Sequence, residues 1–278
     1  MTNRKAPALP LALSLPMALL MALLMAAGTA AAGTTACPEH FPGGQAPEVL
    51  NPRLLAGTRA LCYRAFAVLH SATTRTALYS AEHLTRDGVA AARDTPRDSE
   101  FHAEPALPPE ERAELQDYAR SGFDRGHLAP SGDMPDDEAQ QESFSLANMV
   151  PQAPKLNRGT WADIESAVRK LAERQGEIYV VTGPIFRGAE LQRVGDVIVP
   201  TQVFKAVLDP RRGLAAAYVA KNVDSSPWAV VSMAQLADLT GLDVFPALPA
   251  AARATLLRLP KPTPTPNRYG SRRRGNVP

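Results

Sequence analysis

The chain has 278 residues, 45% of them apolar, with 30 Lys+Arg against 28 Asp+Glu. That composition suits one large or two small globular domains with a sizeable core. Residues 1–32 carry two basic and no acidic residues, so the remainder balances at 28 of each sign; bulk charge does not mark a nucleic-acid binder, and a polyanion site has to be a local patch.

Taken in chain order, Arg4 and Lys5 precede an apolar run, Leu9 to Ala27, broken by Pro10 and Pro16, and Ala30–Ala32 then supply small residues. This order reads as a secretory signal peptide cleaved near Ala32. A retained membrane anchor is the competing reading, weakened by the two prolines. Residues 33–65 read as an irregular N-terminal arm with room for one short helix. The chain's two cysteines, Cys37 and Cys62, stand 25 apart. In an oxidising compartment such a pair most simply forms a disulfide, stabilising by roughly 3 kcal/mol on the chain-entropy view. A lipidated Cys37 is the other reading, against which Thr34-Thr35-Ala36 lacks the usual leucine.

"FAVLHS" (66–71) and "TALYSAEHL" (76–84) predict two strands. Residues 86–109 predict a loop, with Gly88, Pro96 and a closing set of prolines. "PPEERAELQDYARSG" (108–122) predicts a helix with proline at its start, acids in the first turn and Gly122 after it. A polar, turn-rich stretch, "FDRGHLAPSGDM" (123–134), follows. "DDEAQQESFSLAN" predicts a short helix running into "MVPQ". "LNRGTWADIESAVRKLAERQG" predicts an amphipathic helix, because Trp161, Ile164, Val168 and Leu171 recur at helical steps and Gly176 ends the pattern. "EIYVVTGPIF", "DVIVPTQVFKAVLD" and "LAAAYVAKN" predict strands, and "SMAQLADLTGL" and "PAAARATLLRL" predict late helices. The proline-rich tail from residue 260, with Arg272–Arg274, predicts a disordered basic segment. The links between strands are mostly too short for parallel crossovers. The expected fold is therefore α+β, with a largely antiparallel central sheet flanked by helices.

Two segments hold polar groups that a core does not need: Asp124–His127, and Asn148–Lys170. On a continuous helix Asn157 and Glu165 stand about 80° apart and Arg169 about 40° further on, so all three face one cleft. Singly, each has an ordinary structural reading. Asn157 fits a helix N-cap, Glu165–Arg169 a helix salt bridge, Asp124–Arg125 a turn pair, and His127 a solvated loop residue.

"DRGHLAP", then "ANMVPQ", then "LNRGTWADIE", in that order, resembles the DNA/RNA non-specific endonuclease family, the ββα-metal (His-Me finger, endonuclease G-like) nucleases. The resemblance runs from about Phe66 to Pro246. It implies a ββα-metal motif in a nuclease domain over residues 66–259. His127 matches the family's general base, Asn157 the side chain that holds the divalent metal, and Glu165 the acid that holds the metal's water shell. Arg125 and Arg169 match arginines near the scissile phosphate, and Asn148 a site asparagine. An upstream arginine that clamps the phosphate is matched by Arg97, Arg93 or Arg86. Arg97 is favoured because Phe101 and Glu104-Pro105 follow it in the family's manner.

The chemistry suits these residue types. Histidine can take a proton from water near neutral pH. Mg²⁺, or Mn²⁺ in its place, accepts oxygen ligands and keeps most of its waters. The arginine fork matches phosphate oxygens. No base-edge reader is evident, so broad use of DNA and RNA, with 5′-phosphate products, is expected. The rival readings are a binding protein on the same fold without turnover, and a phosphodiesterase for small or lipid substrates, for which no apolar acyl groove is evident. The resemblance also admits a homodimer and an inhibitor protein as partners. The leader and the cysteines predict a periplasmic or secreted protein without stable membrane association once the signal is removed.

Overall fold

A computed structural model describes residues 1–2 and 35–264. The segment expected to be a signal, save its first two residues, and the end of the basic tail lie outside the described residues. Residues 35–264 fall within one compact unit.

The strands in chain order are β1 (Glu48–Val49), β2 (Thr58–Cys62), β3 (Phe66–Ser71), β4 (Thr76–Thr85), β5 (Asp124–His127), β6 (Met149–Gln152), β7 (Glu177–Ile185), β8 (Arg193–Val194), β9 (Val197–Ile198), β10 (Gln202–Asp209), β11 (Leu214–Lys221), β12 (Trp228–Val231) and β13 (Leu242–Asp243). The helices are α1 (Arg86–Asp94), α2 (Asp137–Ser143), α3 (Ala162–Gln175), α4 (Met233–Thr240) and α5 (Ala250–Arg253). Seven strands form the central sheet in the order β12-β11-β10-β7-β4-β3-β2, every pair antiparallel. β5 and β6 form a separate hairpin.

Both faces of the sheet are covered, which is why its central strands read as near-continuous apolar runs rather than strict alternations. One face packs Phe66, Val180, Val203, Val207 and Tyr218 against Trp161, Ile164, Val168 and Leu171 of the α3 region, with α1 and the β5–β6 hairpin alongside. The opposite face packs Tyr79, Val181, Phe204 and Val219 against Met233 and Leu236 of α4 and against Cys37 and Phe41 of the arm. The expected α+β class with an antiparallel sheet is the observed one.

Several local expectations are corrected. Residues 86–94 are helical: Thr85 caps α1 by accepting from the Gly88 backbone N–H at 3.0 Å, so that glycine sits in a capped first turn. The helix expected over 108–122 shrinks to a short 3₁₀ turn at Leu115–Tyr118. Its backbone is committed elsewhere. His70 takes the Glu111 carbonyl at 2.9 Å, and Arg75 takes that of Arg112 at 3.4 Å. The late helix over "PAAARATLLRL" stops at Arg253, and Leu257 then donates to the Ala215 carbonyl of β11.

The arm is part of the body rather than an appendage. β2 is the edge strand of the sheet, β1 pairs with β13, and a Cys37–Cys62 disulfide spans Cα atoms 5.9 Å apart. That bond occupies the sulfur a lipid would need, which removes the lipidated reading of Cys37. No described helix is long and apolar enough to cross a membrane.

Candidate active site

The site begins with the β5–β6 hairpin. In its register Gly126 faces Val150 and His127 faces Met149. Glycine is required at 126 for space: a Cβ there would lie 2.7 Å from the Gln152 Cβ and closer still to its amide oxygen. Beyond the strand, Asn148 pins the chain. Its amide oxygen accepts from the Ala129 backbone N–H at 2.9 Å and from Ser80 at 2.8 Å, and its amide nitrogen donates to the carbonyls of Ala129 and Ser143 at 2.8 and 2.9 Å.

His127 is only 8% exposed. Its ring sits between Phe101 and Phe144, with centroids 5.7 and 4.9 Å away. The Arg125 guanidinium lies 4.3 Å over the Phe101 ring and that of Arg97 lies 5.6 Å over Phe144, so the same aromatic pair that holds the imidazole also orients two cations. Backbone pairing of His102 with residues 144–146 docks the loop that carries Phe101.

Asn157 does not stand on a regular α-helix. It lies in a π-helical turn, Leu156–Trp161, ahead of α3. The extra residue in that turn breaks the 100° arithmetic, yet Asn157, Glu165 and Arg169 still line one cleft. Asn157 donates its amide nitrogen to Asp124 at 2.9 Å, which orients the amide, and Arg158 grips both oxygens of the same carboxylate at 2.5 and 2.7 Å. Arg169 donates to the buried Asp133 at 2.6 Å. Gly132 clears room for it, since a Cβ there would sit 3.1 Å from the guanidinium.

The cleft encloses about 950 Å³ and is lined by Arg97, Arg125, His127, Asn157, Glu165 and Arg169 among others. Of the three upstream arginines, Arg97 is the one that lines it. Arg86 and Arg93 instead bind Glu173 on α3. Asn148 is not brought into the cleft. Its hydrogen-bonding groups are spent inside the fold, so it supports the site from behind. Sequence reading missed Arg158, Asp124 as the partner of Asn157, Tyr118, and the Phe101–Phe144 pair. Arg158 was legible beside Asn157; the aromatic pair spans 43 residues and had no local signal.

Burial and the neighbouring Arg97 charge push the His127 pKa down to about 3, so the ring is neutral at neutral pH. Its Nε2 is buried without a partner among the described residues. The donors near it suit a hard divalent cation: the Asn157 amide oxygen, fixed by the bond to Asp124, and the Glu165 carboxylate. No group of three or more His, Cys, Asp or Glu among the described residues forms a metal cluster. The donor set is thus one for a cation that keeps much of its hydration, which such ions tolerate.

The sequence profile of the DNA/RNA non-specific endonuclease family matches residues 47–251, and the chain belongs to that family. Nuclease C1 of Cunninghamella echinulata var. echinulata is 36% identical over 55% of this chain and 66% of its own length. Human mitochondrial nuclease EXOG is 32% identical over 70% of this chain and 59% of its own. Bovine mitochondrial endonuclease G is 36% identical over 64% of each. The chain thus spans 59–66% of the length of these relatives. Among solved structures, the EndoG/EndoGI complex superposes with TM-score 0.64 at 26% identity, covering 69% of this chain and 88% of that one. The relatives also correct one expectation. Several are mitochondrial nucleases, which overturns the periplasmic or secreted localisation. A short basic, acid-free N-terminus does not by itself separate one compartment's leader from another's.

Two outcomes follow from this geometry. Gly126→Ala should drive Gln152 out of place at a cost of about 1–3 kcal/mol, lower the melting temperature and reduce activity, read by thermal melts and a cleavage assay. The depressed His127 pKa implies that below pH 6.5 the unfolded chain binds a proton there that the native chain refuses until about pH 3, so stability falls as pH falls through that window. Urea unfolding at pH 7 and pH 4.5 should show His127→Gln losing less stability than wild type, by up to about 1.4 kcal/mol per pH unit. Parallel losses would mean that His127 titrates ordinarily.

Proposed function

We propose that the protein is a divalent-metal-dependent endonuclease that hydrolyses phosphodiester bonds of DNA and RNA and leaves 5′-phosphate ends. The observation that carries this reading is a neutral imidazole, its Nε2 without a partner among the described residues, in a cleft that also holds Asn157, Glu165 and arginines 97, 125, 158 and 169. A buried polar atom left without a partner is costly unless something completes it, and a water or substrate in the cleft does so.

His127 acts as the general base, accepting a proton from the attacking water. The anionic phosphate drawn into the cleft opposes the charge of Arg97 and raises the basicity of the imidazole toward its working range. Arg97 and Arg125, held against aromatic rings, and Arg169, held by Asp133, present guanidinium groups to the phosphate oxygens and stabilise the pentacovalent phosphorane. Asn157 would hold the metal directly and Glu165 its water shell, with Asp124 keeping the Asn157 amide in orientation. A bound Mg²⁺ or Mn²⁺ supplies charge neutralisation at the leaving 3′ oxygen. Phosphate contacts carry no sequence information, which supports broad substrate use. The solved relative is bound to its inhibitor, which supports a protein inhibitor as a further partner.

The test is digestion of plasmid DNA and of RNA with Mg²⁺ and with EDTA. Cleavage of both substrates that stops in EDTA is expected. His127→Ala should cut the rate by about 10²–10⁴-fold, and Asn157→Ala should raise the metal concentration needed for half-maximal rate. No cleavage by folded protein with several divalent metals would sink the proposal and leave a binding protein on the same fold.

A further inference from the structure

Beneath the cleft lies a buried group that the reaction does not use. Lys205 sits midway along β10, fully buried, on the sheet face that meets α3. Its cross-strand neighbours are Thr182 on β7 and Tyr218 on β11. The ammonium donates to Thr182 Oγ1 at 2.6 Å and to the Leu128 carbonyl at 3.3 Å. Glu82 Oε2 is 4.0 Å away, beyond a hydrogen bond, and neither Glu82 oxygen has a hydrogen-bond partner among the described residues. The Trp161 ring centroid lies 6.0 Å from Nζ.

As a stabilising device this arrangement is poor. Burying a cation without a close, well-bonded anion is costly, and an apolar side chain of similar volume generally serves a core better. Burial also pushes the Glu82 carboxyl well above the usual carboxylate range, with the nearby Asp133 adding to it, so the carboxyl compensates the ammonium weakly. The contacts suggest a different role. Leu128 directly follows His127, and its carbonyl lies past the end of the hairpin ladder. Trp161 closes the π turn that carries Asn157 and opens the helix that carries Glu165 and Arg169. A single ammonium therefore bonds the backbone of one half of the site and faces the Trp161 ring of the other, from a point in the middle of the sheet.

We infer that Lys205 is a positioning residue: its buried ammonium, oriented by Thr182, fastens the backbone after His127 and the turn bearing Asn157 to one point on the central sheet. As far as turnover is concerned, this rests on the endonuclease reading above.

Lys205→Met keeps the length of the side chain and removes the charge and the donors. The variant is expected to stay folded, with nucleic-acid affinity and KM within about threefold of wild type and kcat lowered about 10–100-fold, the pattern of lost placement rather than lost binding. In the metal-free protein the His127 imidazole ¹⁵N resonances should move. Thr182→Val retains the ammonium and removes its shortest hydrogen bond; smaller changes in the same direction are expected. Folded Lys205→Met with wild-type kcat and unmoved His127 resonances would overturn the inference. Should that variant not fold, unchanged kcat and resonances in Thr182→Val would overturn it instead. A wild-type protein that cleaves nothing would defeat the endonuclease reading alone, since the His127 resonances still report on placement.

Discussion

Everything the site does depends on where the amide of Asn148 holds the chain. Four hydrogen bonds from one buried side chain fix Ala129, Ser80 and Ser143 relative to one another. They tie the segment after His127 both to strand β4 and to the end of α2. Bonds of this kind, fully satisfied in a dry interior, are individually modest but expensive to break, because each lost partner leaves a buried group unpaired. Gly126 contributes from the other side by letting Gln152 approach the backbone. The imidazole is thereby held by its attachment and by two aromatic walls, without a hydrogen bond to Nε2 among the described residues. That combination leaves the nitrogen available to a water or substrate in the cleft.

The electrostatics of the cleft follow from the same economy of contacts. Arg97 and Arg125 rest on aromatic faces, whereas Arg158 and Arg169 are met by Asp124 and Asp133. The cleft is thus locally cationic in a chain whose charges otherwise nearly balance. A local patch is what a polyanion needs, since attraction between charges is screened beyond about 10 Å at moderate salt. Burial, with the charge of Arg97 added, raises the cost of charging His127, so the free protein keeps its base neutral and a bound phosphate relaxes that constraint.

Much of this was legible in the sequence, and the failures have physical causes. The strands at 66–71, 76–85, 177–185, 202–209 and 214–221 announced themselves as apolar runs bounded by turn residues, because both sheet faces are buried. The three ordered motifs carry His127, Asn157 and Glu165, which line one cleft. Helix α1 was hidden because Gly88 reads as punctuation, although a threonine cap and burial of Val89 and Ala92 outweigh one glycine. The 108–122 segment has helical composition, but its Glu111 and Arg112 carbonyls are taken by His70 and Arg75, contacts with no local trace. Asn148 was read as a site residue. Its place directly before the apolar "MVPQ" run was the available sign that it belongs to the supporting core. The helical arithmetic at Asn157 assumed a regular helix where the chain inserts a π turn, and Lys205 sits in an apolar strand where nothing in the sequence marks it as a brace. The basic, apolar N-terminal segment suggests export, whereas several relatives are mitochondrial nucleases.

The most direct test of the account is single-turnover cleavage of a short labelled oligonucleotide by His127→Ala, with and without added imidazole, in Mg²⁺ and in EDTA. If His127 is the base, the variant is slow, and imidazole restores cleavage in proportion to its unprotonated fraction, only when the metal is present. A variant that cleaves at the wild-type rate, or one that imidazole leaves unchanged at every pH, would contradict the role assigned to that residue.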